Sequence, residues 1–540
     1  MMQTLFFNFN PIITGQEKPF DAMLVNDGVI VDVGEKAIIA AGVPADTKMI
    51  DLDGHVIIPG LTDCHIHLIN YAASKELTVN LKDIPSLQAL TLKTGRFMKQ
   101  KKIKPGDWVE GWGWNHDLFP EVRMPDRQDL DAISKDHPVK LTRMCYHVYA
   151  VNTMALELAG ITDRTPDPEG GKIDRDEKGR PTGILRETAM DLVDRVIPPL
   201  EDKKVIKSLI RSACEDLASF GYTCVHTDDF SATGNRQTLL DAYLELDKAG
   251  ELPIDIVLQL IINNPEELNF YIEQGLKSGK RFNRLVVGPV KILGDGSVGS
   301  RTAALKEPYS DDPSTNGIML FSQSKLEIMI RKSFESGFDT AVHAIGDKTQ
   351  EQALEIYGNN KDLIEKHNYS PSIIHCQVAS EKALKMYQEF DIIANFQPIF
   401  LHSDWTIALE RVGEKRLETS YCWKTFIERG IYCVGSSDAP VESFNPFWNI
   451  YAAITRKDLE GNPHGGWLPE QALTREEAIT LFTVHPPRLT GEAERRGKLK
   501  PGYFADFTVL SDNPLSIPAE EVKNMKALAA YKEGVEIYTA

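Results

Sequence analysis

The sequence predicts an α/β chain built around a (β/α)8 TIM barrel, with a small β domain assembled from both chain termini and an insertion after the first barrel strand. Three observations carry this expectation. From about residue 55 onward, short apolar runs alternate with helical stretches, the pattern of parallel strands joined by crossover helices. Eight such runs can be counted, the number that closes a barrel. Strand-like segments also stand near both ends, each too small to hold a core alone, so they are expected to pair with each other.

At the start, Ala22–Val25 and Val29–Val33 flank Asn26-Asp27-Gly28, a hairpin signal because Asn and Gly tolerate positive φ. At the far end, Lys500-Pro501-Gly502-Tyr503 precedes the strand-like Ala505–Leu510, and Glu536-Ile537-Tyr538 follows. The expected barrel strands are Val56–His67, Thr223–Asp228, Ile254–Ile261, Leu285–Leu293, Thr340–Ile345, Ser372–Gln377, Ile392–Gln397 and Ile431–Ser436. Between the first two the chain is far too long for one helix, so an inserted unit is expected over about 70–210. It holds the aromatic loop Trp108–His116 and the turn-rich tract Pro166–Gly171. The resulting division is 1–54 and 490–540 for the terminal β domain, with 55–489 for the barrel and its insertion.

Composition excludes several function classes. The 540 residues carry 42% hydrophobic and 26% charged residues, as a globular protein does. A formal net charge of −18 repels nucleic acid and anionic membrane, and neither is expected as a partner. No apolar run approaches the roughly 18 residues of a membrane span. The first 20 residues lack a basic start and an apolar stretch of the signal-peptide type, so the cytoplasm is expected. Seven cysteines without any C-x-x-C pair fit a reducing compartment and speak against a disulfide scaffold or zinc ribbon.

The chemistry lies at the predicted strand ends, where barrel enzymes place reactive groups. Gly60-Leu61-Thr62-Asp63-Cys64-His65-Ile66-His67 ends the first strand with two histidines spaced i, i+2, which point to the same side. A lone Lys291 interrupts the apolar fourth strand. His343 stands near the end of the fifth, His375 near the end of the sixth, and Asp438 just after the eighth. Each is a hydrophobic run broken by one metal-capable residue, and together they point to metal binding. Four histidines and one aspartate suffice for two divalent ions, which need an anionic bridge to reduce their repulsion. A buried lysine has its amine pKa pulled down, so Lys291 can add carbon dioxide and become a carbamate. The alternative is an ammonium paired with Asp295 or Asp438.

This combination resembles the amidohydrolase superfamily, and more closely its YtcJ-like subgroup, which includes N-substituted formamide deformylases. The resemblance is carried by Gly60–His67, Val290–Leu305, Val342–Asp347 and Ser437–Pro440, and in the insertion by Gly111–Trp114 and His147–Asn152. It implies that the terminal segments form a split β-sandwich. It also implies that His65, His67 and Asp438 hold the more buried ion, that His343 and His375 hold the more exposed one, and that carbamylated Lys291 bridges them. Zinc suits this ligand set, and iron or manganese would be tolerated by it. The implied reaction is hydrolysis of an amide, N-formyl or cyclic amide C–N bond by a metal-activated water, with Asp438 moving the proton.

Other candidates are weaker. Trp112, Trp114 and His147 could line a lid over a small-molecule substrate, or pack inside the insertion. Arg301, in the loop after the fourth strand, could hold a substrate anion or make a structural ion pair. Two rival readings remain: a mononuclear deaminase of the same superfamily, which has no use for Lys291, and a catalytically silent regulatory relative. Self-association through barrel helices stays open, as does the substrate.

Overall fold

In the computed structural model the described residues are 3–13, 15, 19–144, 148–168 and 170–540. The chain divides into two units, Met1–Ile69 with Asp202–Ala540, and Asn70–Glu201.

In the first unit eight parallel strands form one sheet in sequence order: Leu61–Ile66, Tyr222–Thr227, Asp255–Ile261, Leu285–Leu293, Thr340–Ala344, Ser372–His375, Ile393–Phe396 and Cys433–Gly435. Most of their residues are buried, as expected of parallel strands covered by helices. The first and eighth strands are joined just beyond the eighth, where Asp438 N donates to His65 O at 2.9 Å and His67 N donates to Ala439 O at 2.8 Å. The sheet is thus a nearly closed barrel, and its seam runs through the histidine pair.

The run expected as one first strand, Val56–His67, is two strands. Val56–Pro59 belongs to a terminal sheet, where it pairs antiparallel with Phe507–Leu510, and only Leu61–Ile66 enters the barrel. Gly60 separates them. A Cβ there would lie 2.3 Å from Thr223 Oγ1, so only glycine lets the two sheets approach at that point. The other barrel strands start and end within two residues of the expected bounds; Ser372–His375 stops before Cys376, where the backbone turns left-handed at His375 (φ 86°) and Cys376 (φ 52°).

The termini form a sandwich of two sheets. Gln3–Phe7, Ala22–Asn26, Val29–Gly34 and Lys48–Asp51 make one; Asn10–Pro11, Val56–Pro59, Phe507–Leu510, Ala527–Lys532 and Val535–Thr539 make the other. The hairpin turns at Asp27 and Gly28, both with positive φ. Between the sheets Phe6 packs edge-on against Phe507 and Tyr531, with ring centroids 5.0 and 5.1 Å apart.

The second unit has its own core around a six-stranded mixed sheet that includes Val109–Trp114, Val139–Arg143 and Pro181–Glu187. No helix among the described residues is long and apolar enough to cross a membrane.

Candidate metal centre

The tightest group of ligand-type atoms belongs to His65, His67 and Asp438, all within 4.8 Å of one another. His65 Nε2 and His67 Nε2 lie 3.3 and 3.1 Å from Asp438 Oδ1. The barrel seam sets this geometry, because the main-chain bonds that close it belong to the same residues. Ser437 N adds a bond to Asp63 Oδ1 at 3.1 Å, and Asp438 itself adopts φ 61°, a costly backbone for a non-glycine residue that persists only where its surroundings fix it.

The remaining predicted positions converge on the same place. Lys291 is fully buried, with Nζ 3.0 Å from His65 Nε2. The His375 ring lies 5.9 Å from that of His65 and 4.4 Å from that of His343.

Each histidine has one ring nitrogen committed to a protein acceptor. His65 Nδ1 donates to Gln259 Oε1 at 2.7 Å, His67 Nδ1 to the Asp228 carbonyl at 3.0 Å, and His375 Nδ1 to Gln397 Oε1 at 2.8 Å. His343 is turned the other way and donates through Nε2 to the Gly296 carbonyl at 3.1 Å. A carbonyl oxygen only accepts, so the committed nitrogen must carry the hydrogen. That leaves Nε2 of His65, His67 and His375 and Nδ1 of His343 for another partner, the arrangement usual for metal-ligating imidazole. Asp438 Oδ1 is buried between His67 Nε2 and His65 Nε2, and it is the pairing with His67 that raises that imidazole. A cation between this carboxylate and the imidazoles would take the place of the proton that His67 holds, on donors whose other ring nitrogens are already committed. The residues fit a metal ion.

The electrostatics agree. Burial pushes the Asp438 carboxyl up, but the hydrogen bond and charge of His67 outweigh it and hold it well below the usual carboxylate range. Burial, reinforced by the neighbouring cationic and imidazole groups, keeps His65 and His375 neutral. His67 is also buried, yet Asp438 raises it to about 9, so a metal arriving there displaces a proton. Burial lowers the Lys291 amine, opposed by the charges of Asp228 and then Asp438.

The other candidates are placed as follows. Asp295 does not serve Lys291: its carboxylate accepts the main-chain N–H of Ala304, Ile345 and Gly346 and ties two loops together. Arg301 is engaged by Asp311, with Nη2 2.8 Å from Oδ2. Trp114 is a core residue of its own unit, fully buried with Nε1 donating to Leu141 O. Trp112, half-buried, flanks a groove of about 600 Å³ in that unit that also touches Val79, Lys93, Arg96, Phe97 and Lys101. His147 lies outside the described residues.

Three site residues escape a sequence reading that looks for metal ligands. Asp228 directly follows the second barrel strand and is buried, with Oδ1 lacking a hydrogen-bond partner; the strand-end rule applied to a carboxylate would have found it. Gln259 and Gln397 carry no such signal, because a buried amide gains meaning only once its partner is known.

Comparison with known proteins follows the same line. Residues 48–538 match the Amidohydrolase family. The Bacillus subtilis (strain 168) protein YtcJ, which carries an amidohydrolase name, is 34% identical over 520 residues, 96% of this chain and 96% of that one. The N-substituted formamide deformylase of Arthrobacter pascens is 24% identical over 534 residues, spanning 96% of this chain and 94% of the relative. A solved structure of an uncharacterized metal-dependent hydrolase from Pyrococcus furiosus superposes with a TM-score of 0.77 at 30% identity, covering 95% of this chain and 100% of the other. With the barrel, the split sandwich and the histidine-lined seam already established, the match along nearly the whole chain shows that this protein belongs to the amidohydrolase family.

Proposed function

We propose that the protein is a metal-dependent hydrolase that cleaves the C–N bond of a small amide, N-formyl compound or cyclic amide. The observation that carries this reading is the convergence of Asp438 Oδ1 with His65 Nε2 and His67 Nε2, on imidazoles whose other nitrogens are already committed. His65, His67 and Asp438 would hold one divalent ion, His343 and His375 a second, and Lys291, as a carbamate, would bridge them. Zinc is the first choice for this donor set, with iron or manganese compatible. When bound, such ions supply Lewis acidity toward a carbonyl and make a water molecule acidic near neutral pH.

The chain's own groups do the rest. Asp438, kept ionised by His67, accepts the proton of the attacking water on its carboxylate and returns it to the leaving nitrogen, so that the C–N bond breaks as the amine is protonated. Lys291, desolvated, is suited to react as the neutral amine: its nitrogen bonds carbon dioxide and one proton leaves to solvent, giving a carbamate with two oxygen ligands. The name of the Arthrobacter relative supports a C–N bond as the target. The chain's charge of −18 argues against a nucleic-acid partner.

A second reading is a single ion at His65, His67 and Asp438, favoured by the compactness of that group and by Lys291 standing as an ammonium beside Asp228.

The test is to measure bound metal in the purified protein and then to screen the zinc-loaded enzyme on N-acyl, N-formyl and cyclic amides. Hydrolysis of at least one class, lost on chelation and restored by metal, is expected. Metal bound tightly with no amide hydrolysed, or hydrolysis indifferent to chelation, would overturn the reading.

A further inference from the structure

Behind the histidines, all within the first unit, side-chain amides from the third and seventh barrel strands are linked through the main chain of the first and the hydroxyl of Ser436, just after the eighth. Gln259, on the third strand, accepts from His65 Nδ1 and donates through Nε2 to the Cys64 carbonyl at 3.2 Å. Asn395, on the seventh, donates through Nδ2 to the same carbonyl, also at 3.2 Å. Asn395 Oδ1 accepts from Ser436 Oγ at 2.6 Å, and Ser436 Oγ in turn accepts from Gln397 Nε2 at 2.7 Å. Gln397 Oε1 takes the hydrogen of His375 Nδ1. All of these residues are at most 5% exposed.

The direction of every bond in this series follows from one atom. The Cys64 oxygen is a main-chain carbonyl and only accepts, so both side chains that reach it must present NH2 groups. Gln259 then has to turn its oxygen toward His65, and Asn395 its oxygen toward Ser436. The Ser436 hydroxyl hydrogen is spent on Asn395, which leaves its lone pair for the Gln397 NH2, and the Gln397 oxygen therefore faces His375. Both histidines are forced into the tautomer with hydrogen on Nδ1 and a lone pair on Nε2. The histidine partners here are neutral amides, so they orient the rings without adding negative charge, unlike the carboxylates that often stand behind metal-binding histidines.

We propose that Gln259, Asn395, Ser436 and Gln397 form a single positioning network, anchored on the Cys64 carbonyl, that presets His65 and His375 as Nε2 ligands and couples the two ends of the site. The role rests on the metal reading above for its purpose, though the tautomers themselves do not require a metal.

The test uses the full-length protein with its 13 histidines labelled with 15N in the ring, first without metal and then in competition with a chelator for zinc. In the metal-free parent, His65 and His375, assigned by substitution of each in turn, should show hydrogen on Nδ1. Gln259→Met and Gln397→Met keep volume but remove the acceptor; each should redistribute the tautomer of its histidine and weaken zinc binding by roughly 10- to 100-fold. Gln259→Glu keeps an acceptor oxygen and should restore the Nδ1–H signature that the Met variant loses. Asn395→Leu, which touches neither ring, should disturb both. Unchanged tautomers and zinc affinity within about twofold in both Met variants would overturn the proposal, as would a Glu variant behaving like Met. If instead the parent shows the fixed tautomers but holds no zinc, the metal reading fails and the network stands.

Discussion

Lys291 Nζ lies 3.0 Å from His65 Nε2, and both side chains are buried. With the hydrogen of His65 held on Nδ1, its Nε2 lone pair accepts from the lysine amine, so the lysine fills the very position on the imidazole that a metal would claim. Metal binding there requires Lys291 to give up that contact, and carbamylation, which leaves a single N–H on the nitrogen, gives the side chain two carboxylate oxygens that would ligate a metal instead of competing with it. Loading in the presence of bicarbonate should therefore yield about two ions per chain, and loading without it fewer. Lys291→Met should hold about one ion regardless of bicarbonate. Metal analysis after gel filtration reads this directly; a parent with one ion under both conditions establishes the mononuclear reading instead.

Asp438 is held ionised by its neighbour His67 and has no other assigned task than to ligate and carry a proton. Asp438→Asn cannot accept that proton. It should lower kcat by about 10²- to 10⁴-fold with a smaller change in KM, measured on whichever amide the screen identifies. Equal kcat in the variant refutes the proton-transfer role.

Beneath the barrel, Lys532 Nζ stands 2.9 Å from both Asp255 Oδ2 and Asp506 Oδ2, and Arg496 pairs with Asp506 as well. Burial raises the Asp506 carboxyl, but Lys532 and Arg496 outweigh it and hold it far below its ordinary value of 3.8. A depressed carboxyl contributes stability that is present above its unfolded pKa and is lost as pH falls through the folded one. Lys532→Met should cost about 3–5 kcal/mol, and its acid-unfolding midpoint should move to higher pH than that of the parent. Coincident acid transitions would show that the lysine is not what keeps these carboxylates ionised.

Asp339, just before the fifth barrel strand, behaves in the opposite sense. Burial pushes its carboxyl up to about 7, although the amides of Ser370 and Thr340 pull it down. A raised carboxyl contributes stability that is fully present below the unfolded value of 3.8 and is lost as pH rises through about 7. Asp339→Asn forfeits one amide bond at every pH, so slopes decide and levels do not. Between pH 5 and 8 the Tm of the parent should fall more steeply than that of the variant; parallel curves would remove Asp339 from the pH response.

The barrel was legible because parallel strands buried on both faces read as apolar runs, and the metal-capable residues stood out by breaking those runs at the right end. The same rule misjudged Val56–His67, since the continuity of its apolar residues hides a change of sheet that only the space at Gly60 reveals. The amides escaped notice for a different reason. A glutamine in a strand interior is uncharged and ligates poorly, so its importance depends on pairing across strands far apart in sequence: Gln259 meets His65 and Cys64, and Asn395 meets Cys64. The insertion resisted prediction because its strands run both parallel and antiparallel, and alternation alone does not say which neighbour each takes.

The passage of Val56–Pro59 into Leu61–Ile66 across one glycine has an implication for how the molecule is made. The strand leading to the histidine pair is gripped on one side by Phe507–Leu510, which leaves the ribosome long after it, and the barrel seam waits for residues around Asp438. The earliest ligands to be translated are therefore among the last to be fixed in place. A nascent chain stalled between Asp438 and Phe507 carries every ligand and every barrel strand, and still lacks the strand that holds Val56–Pro59 in place.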